Sequence, residues 1–485
     1  MPARTGQQFL EGLKQPREIW VDGERISDVA DHPALSGAAQ SLASVYDLHH
    51  EEPEICLMPD PETGESISIS HMIPNSVGDL QRRHNCLEKI ADFSVGLMGR
   101  TPDYLNVTFA GFAGGIHEWS MFGNEFFAEN LINYQKQLRR EDWALTHAIV
   151  PPTSDKQTGD IPRLGDEITL HKIADTDGGI LLRGARALAT LAPFADEIAI
   201  YPRLPLPKGS EIYALCFCIP MSTPGLKFLC RDSMSEKPNN FDYPFSSRFD
   251  EQDAFVIFDD VEIPKNRIFI DGNLGVYNTV MQTNWMPNIM HQTMIRAHVK
   301  LEFSWGLARR MAKTINATDQ GTQQMLGELW SYCEFTRSAI LASETQAIDQ
   351  GNEFWTPNVK PLYALRCMLP TWFPRVNDII RLIGSHFMLL APRAAEFNNP
   401  SLRELINTYL PGAGDVDAEE RARVFRLAWD FSGSAMGSRN EQYERFYLAS
   451  GARNLQNAFR IGDTTRSDAL VDQFLDAAAK VNNPP

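Results

Sequence analysis

Between about residues 144 and 271 the chain carries seven short runs of β-type residues with no helical pattern between them. They are EITLHKIA, GGILLRGARALATL, EIAIYP, IYALCFCIP, LKFLCR, AFVIFDDVEI and RIFI. Turn residues separate them, most clearly PMSTPG, Pro220 to Gly225. Parallel strands need a long crossover, usually a helix, and this stretch has no room for one. The spacing therefore predicts an antiparallel barrel or sandwich. Helical periodicity flanks it on both sides. Before it come ALSGAAQSLASVYDL and HEWSMFGNEFFAENLINYQKQLRR, and Ser76 with Asp79 forms a capping pair ahead of Leu80, Leu87 and Ile90. After it come VKLEFSWGLARRMAKTINA, GTQQMLGELWSYCEFTRSAILASETQAID and EERARVFRLAWDFSGSAMGSRNEQYERFYL, with Pro-rich turns expected near 356–375 and 397–412. The expected fold class is α+β, in three domains: N-terminal helices over 1–143, a central antiparallel β-barrel over 144–271, and a C-terminal helical bundle over 272–485.

Charge and cysteine content exclude several roles. The formal net charge is −17, which disfavours nucleic acid and anionic membranes. The start, MPARTGQQFLEGLK, has no apolar core, so no signal peptide is expected. No apolar run reaches the roughly 18 residues of a spanning helix. Seven cysteines are scattered without a CxxC or Cys/His ladder, so no metal site is expected, and a reduced, cytoplasmic protein is the simple conclusion.

Candidate site residues fall at the domain joints. In GRTPDYLN, Gly99 to Asn106, Thr101 can cap a helix start and Pro102 can occupy its first position. Arg100 and Tyr104 then stand four residues apart and can face one spot, as a small-anion site requires. An ordinary surface helix start gives the same pattern. His147, just before the junction loop, is expected to titrate near neutrality and to donate to an oxyanion or move a proton. A satisfied interfacial histidine is the plainer alternative. Thr153, Ser154, Asp155 and Lys156 bring hydroxyls, a carboxylate and a cation to one loop, suited to a polar cofactor or to solvent. Thr190 ends a strand, where a hydroxyl can meet a ring nitrogen or merely close the strand. Ser450, Gly451, Ala452 and Arg453 form a turn that suits a diphosphate or a plain helix connection.

Taken together, DLHH, MGRTPDYLN, THA, GAR…AT…ADE, STPGLKF, FSSR, VIFDDVEIP and RLAWD…RNEQYERFY resemble the oxygenase component of 4-hydroxyphenylacetate 3-monooxygenase. The resemblance runs over nearly the whole chain. It implies an acyl-CoA dehydrogenase-like frame, usually tetrameric, with flavin binding and oligomerisation in the C-terminal bundle. It also implies a two-component enzyme. A separate NAD(P)H:flavin reductase supplies FADH2, and with molecular oxygen a flavin hydroperoxide ortho-hydroxylates a para-substituted phenol to a catechol. Residue by residue, Arg100, Tyr104 and His147 match the phenol-binding trio, and Thr153 to Lys156 match a flavin loop. Thr190 matches the threonine beside the isoalloxazine, and Ser450 to Arg453 match a flavin-contacting turn. Where relatives carry a Ser–Thr pair over the substrate tail this chain has Arg203 and Leu204, so the tail is open: a carboxylate or a larger acyl group suits Arg203, and so does a surface turn. Halophenol and nitrophenol monooxygenases share the frame. A 4-hydroxybutyryl-CoA dehydratase needs cysteine ligands that this chain lacks. An acyl-CoA dehydrogenase needs a carboxylate such as Glu441 or Glu444, and a non-enzymatic scaffold needs none of these residues.

Overall fold

In a computed structural model, which describes residues 3–153, 162, 165–235, 239–281 and 285–479, each of the seven β-type runs forms a strand. They are His171–Asp175, Gly179–Thr190, Glu197–Ile200, Leu215–Pro220, Leu226–Cys230, Asp253–Pro264 and Ile268–Asp271. They do not close into a barrel. Among the described residues they divide between a six-stranded and a four-stranded sheet. The six-stranded sheet runs Glu24–Ile26, Glu18–Val21, Leu226–Cys230, Asp253–Pro264, Gly179–Thr190, His171–Asp175. The four-stranded sheet runs Ile268–Asp271, Leu215–Pro220, Glu197–Ile200, Leu145–His147.

The reason the barrel expectation fails is visible at the edges. One edge of the six-stranded sheet is taken by the Glu18–Ile26 hairpin, which pairs in parallel with Leu226–Cys230. One edge of the four-stranded sheet is taken by Leu145–His147, parallel to Glu197–Ile200 with His147 opposite Ala199. Segments entering from the N-terminal side thus satisfy backbone groups that closure would otherwise have paired. Neither added segment has an alternating pattern long enough to announce itself in the sequence.

Helices surround the sheets. Ser36–Glu51, Val77–Phe93, Asp103–Gly114 and Glu125–Glu141 precede them, and Ser76 does cap its helix, its hydroxyl accepting from the Asp79 amide at 3.1 Å. The segment from His117 is interrupted: Phe122 and Gly123 have φ of 55° and 77°, and the long helix starts only at Glu125. Met286–Thr314 is the axial helix of the bundle, with every residue from Pro287 to Leu301 buried. Gln320–Thr345, Val359–Leu389, Ala418–Ser432 and Ala435–Phe446 complete the packed bundle. The expected turn near 356–375 is mostly helix, because Val359–Leu389 runs through Pro370 and Pro374. An internal proline costs a helix about 3 kcal/mol. Burial of Leu362, Leu369, Phe373, Val376 and Ile380 offsets it. No helix among the described residues is long and apolar enough to cross a membrane.

Candidate functional site

The Asp103–Gly114 helix starts one residue later than the sequence suggests, with Pro102 at the cap position and no side-chain cap. Thr101 bonds the Asp103 carboxylate instead. The amides ahead of the helix are satisfied from far away. Glu251 accepts from the Gly99 N–H at 2.9 Å and from the Arg100 N–H at 3.0 Å. A carboxylate 151 residues distant therefore sets the backbone that carries Arg100.

Arg100 is buried in a cage of tyrosines. Its Cζ lies 3.9 Å from the Tyr104 ring centroid and 4.5 Å from that of Tyr447. Its Nη1 donates to the Gly99 carbonyl at 3.0 Å and to the Tyr443 hydroxyl at 2.5 Å. Tyr443 and Tyr447, one helical turn apart, stack at 4.8 Å. Arg100 has no ion-pair partner among the described residues, and its Nε has no hydrogen-bond acceptor. Burial opposes its charge, but the surrounding tyrosine oxygens outweigh burial and raise its pKa. Among the described residues the site thus holds a cation without a counter-ion.

His147 packs edge-on to Tyr104 at 5.4 Å, so the trio expected from sequence converges. Its Nδ1 is hydrogen-bonded to the Tyr201 hydroxyl, which also bonds Tyr104. Burial first, then the Arg100 charge, push the His147 pKa well below its usual value. Titration near neutrality is therefore not what this histidine does: it is neutral imidazole at physiological pH. With Nδ1 engaged by Tyr201, Nε2 is the ring nitrogen left for a ligand.

Thr190 reaches this centre through one ion network. Its hydroxyl donates to Asp253 Oδ1 at 2.6 Å. Arg439 donates to both oxygens of Asp253, at 2.7 and 2.9 Å, and to Glu251 at 2.9 Å. One guanidinium therefore joins the residue holding Thr190 to the residue holding the Arg100 backbone. Between the two carboxylates Gln252 is fully buried with φ of 55°, a left-handed conformation that turns both neighbours toward Arg439.

Ser450 caps the Gly451–Ile461 helix, accepting from the Arg453 amide. Asn454 donates to the Arg366 carbonyl at 3.2 Å. The Arg366 guanidinium feels both Tyr104 and Arg453, which ties this turn to the tyrosine cage. Arg203 and Leu204 follow Tyr201 and line a small cleft with Ile149, Arg186, Tyr213 and Tyr277. Thr153 borders the junction loop, and Ser154, Asp155 and Lys156 lie outside the described residues. Sequence reasoning missed Tyr201, Glu251, Asp253, Arg439, Tyr443 and Tyr447. The spacing of Tyr443 and Tyr447 in EQYERFY was an available signal; the others are far from Arg100 in sequence. Trp285, centroid 6.1 Å from Tyr201, has an indole N–H without a partner among the described residues.

The carboxylates of the dehydrogenase alternative are engaged. Glu444 is pushed down to about 2: burial opposes its ionisation, but Arg296 at 2.8 Å and Lys300 at 3.0 Å outweigh it. Glu441 accepts from Asn377, Arg381 and Arg445.

Residues 5–270 match the sequence model described as 4-hydroxyphenylacetate 3-hydroxylase N terminal, and residues 276–476 match the C terminal model of the same name. The chain is 35% identical over 482 residues to the 4-hydroxyphenylacetate 3-monooxygenase oxygenase component of Thermus thermophilus, covering 99% of this chain and 98% of that one. A crystal structure of such an oxygenase component, complexed with FAD and 4-hydroxyphenylacetate, superposes with a TM-score of 0.93 at 34% identity, covering 99% of this chain and 100% of the other. An archaeal 4-hydroxybutyryl-CoA dehydratase shares the fold, with a TM-score of 0.89 at 17% identity over 99% of this chain and 96% of that one.

Proposed function

Because the chain belongs to the 4-hydroxyphenylacetate 3-hydroxylase family, we propose that the caged Arg100, with Tyr104 and His147, holds the oxygen of a phenol. The protein is the oxygenase component of a flavin-dependent monooxygenase, using FAD and molecular oxygen to convert a para-substituted phenol to a catechol. The observation that carries the site assignment is the buried guanidinium, without a counter-ion among the described residues and lined by hydroxyls and a neutral imidazole.

A phenol has a pKa near 10, so holding it as phenolate at pH 7 costs about 4 kcal/mol. One charged hydrogen bond contributes about 1.5–3 kcal/mol, and neutral partners about 1 each. Arg100 with Tyr104 and His147 therefore suffices. Ionisation makes the ring carbon beside the oxygen electron-rich, which is where hydroxylation is required. His147 serves as a neutral hydrogen-bond partner through Nε2. Tyr104 and Tyr201 are buried and Tyr443 and Tyr447 half-buried, and together they limit the access of bulk water to the reacting centre.

The residues present fit a flavin. The Trp285 N–H near Tyr201, unpartnered among the described residues, the buried Thr190 hydroxyl, and the Ser450-capped helix start with Arg453 offer donors and acceptors of the kinds a ring system and a diphosphate require. Thr153, Ser154, Asp155, Lys156, Thr190, Ser450, Gly451, Ala452 and Arg453 would hold it, with His147 at its edge. When bound in reduced form, FAD supplies with oxygen the electrophilic hydroxyl. The cleft of Arg203, Leu204 and Arg186 receives the para substituent. Its residues Ile149 and Arg203 lie two positions after His147 and Tyr201, just past the ends of the paired strands Leu145–His147 and Glu197–Ile200.

A separate reductase delivers the reduced flavin, and the protein works as a homotetramer. Exposed Leu455, Phe459, Leu470, Val471, Phe474 and Leu475 on the last two helices support burial against other copies of the chain. The test is to mix reduced FAD and protein with oxygen and a panel of para-substituted phenols. Catechol should form, and Arg100→Ala should abolish it while flavin still binds. Unchanged hydroxylation by that variant would overturn the assignment.

A further inference from the structure

Thr190 is 5% exposed and its hydroxyl proton is committed. The oxygen lies 2.6 Å from Asp253 Oδ1, a separation that needs a proton between them. Asp253 has none to give. Its carboxyl sits far below the usual carboxylate range: burial opposes ionisation, but Arg439 and then Arg231 outweigh it. Arg439 donates to Oδ1 and Oδ2, and Arg231 Nε donates to Oδ2 at 3.1 Å. An ionised carboxylate accepts only, so Thr190 must be the donor. What Thr190 has left for a ligand is a lone pair.

We propose that Asp253, clamped by Arg439 and Arg231, is a positioning residue that makes Thr190 an acceptor only. Thr190 then favours a flavin presenting a ring N–H over one presenting a bare ring nitrogen. The central-ring nitrogen N5 of FAD carries an N–H when reduced and is bare when oxidised. This rests on the flavin reading above and deepens it, because the preference for the reduced cofactor is set by a carboxylate that does not touch the cofactor.

Asp253→Asn reverses the polarity. With the amide oxygen at the Oδ2 position, the bonds from Arg439 Nε and Arg231 Nε are kept and the one from Arg439 Nη2 is lost; the amide N–H faces Thr190, and the Thr190 proton is released toward the ligand. Affinities for oxidised and dithionite-reduced FAD are measured anaerobically on the purified full chain, with circular dichroism as the folding control. Asp253→Asn should lower the ratio of oxidised to reduced dissociation constants by about tenfold, the worth of one hydrogen bond. Thr190→Val should lower the ratio too, Thr190→Ser should keep it, and Asp253→Asn should add nothing on top of Thr190→Val. If Asp253→Asn fails to fold, the Val and Ser variants decide the matter. Equal changes in both affinities, or an unchanged ratio in Thr190→Val, overturn the proposal. Wild-type protein that binds neither form of FAD would instead refute the flavin reading itself.

Discussion

Replacing Arg100 with Met isolates the charge at the centre of the site. Methionine keeps an unbranched apolar stem against Tyr104 and Tyr447 while removing the guanidinium. Arg100 has no acidic partner among the described residues, so no carboxylate is orphaned and the fold should survive. A chromogenic phenol reads the consequence: 4-nitrophenolate is yellow and the neutral phenol is not. On the wild-type protein Arg100 should account for about 1–2 pH units of the lowering of the bound phenol's ionisation, since a charged hydrogen bond of about 1.5–3 kcal/mol is spread at 1.36 kcal/mol per unit. In Arg100→Met that share should vanish, leaving only the smaller contribution of Tyr104 and His147. The assay is an absorbance titration of bound 4-nitrophenol against pH, with binding confirmed separately by calorimetry. If the variant binds the phenol and ionises it at the wild-type pH, Arg100 is not the group that stabilises phenolate.

Three further outcomes follow from neighbouring residues. A Cβ at Gly99 would lie 2.2 Å from the Tyr443 hydroxyl, so Gly99→Ala should push Tyr443 off Arg100 and cost about 1–3 kcal/mol in denaturant unfolding; a neutral result would mean the cage is loose. Glu251→Gln should cost about 3–5 kcal/mol by leaving Arg439 short of one charge and weakening the Gly99 and Arg100 amide bonds, and it should impair phenol binding as well; a change in stability alone would separate Glu251 from the clamp. Burial pushes the Asp103 carboxyl from 3.8 up to about 6, against bonds from Thr101 and Gln292. Between those pH values the folded chain keeps a proton that the unfolded chain has lost, so stability falls as pH rises through that window, by up to about 3 kcal/mol. Asp103→Asn should lack that fall in chemical denaturation series, and parallel curves for variant and wild type would contradict the burial argument.

Much of this was legible in the residues. The seven β-type runs are all strands, because period and turn chemistry are local properties. Arg100, Tyr104 and His147 lie together, as the family resemblance, and not their spacing, implied. The failure of the barrel to close was not legible, because the Glu18–Ile26 hairpin and Leu145–His147, neither of them among the seven β-type runs, take up sheet edges. Nor was the origin of the Gly99 and Arg100 amide contacts: Thr101 looked like the cap, and Glu251 fills the role through a tertiary contact. The protonation behaviour of His147 also depended on burial that no spacing reveals. Pro370 and Pro374 read as breakers, yet the packing around them overrides a local preference.

The boundary between the two family models, near residue 270, looks like a natural place to cut and recombine relatives. The ion network says otherwise. Arg439 lies on one side of that boundary, with Glu251 and Asp253 on the other. Asp430 likewise reaches back to accept from the amides of Phe245 and Ser246, and Arg296 to donate to the Gly96 carbonyl. Halves taken from different parents are therefore not interchangeable parts. A chimera joined there will assemble a working site only when both parents share these partners, and grafting the partners along with the half should rescue one that fails.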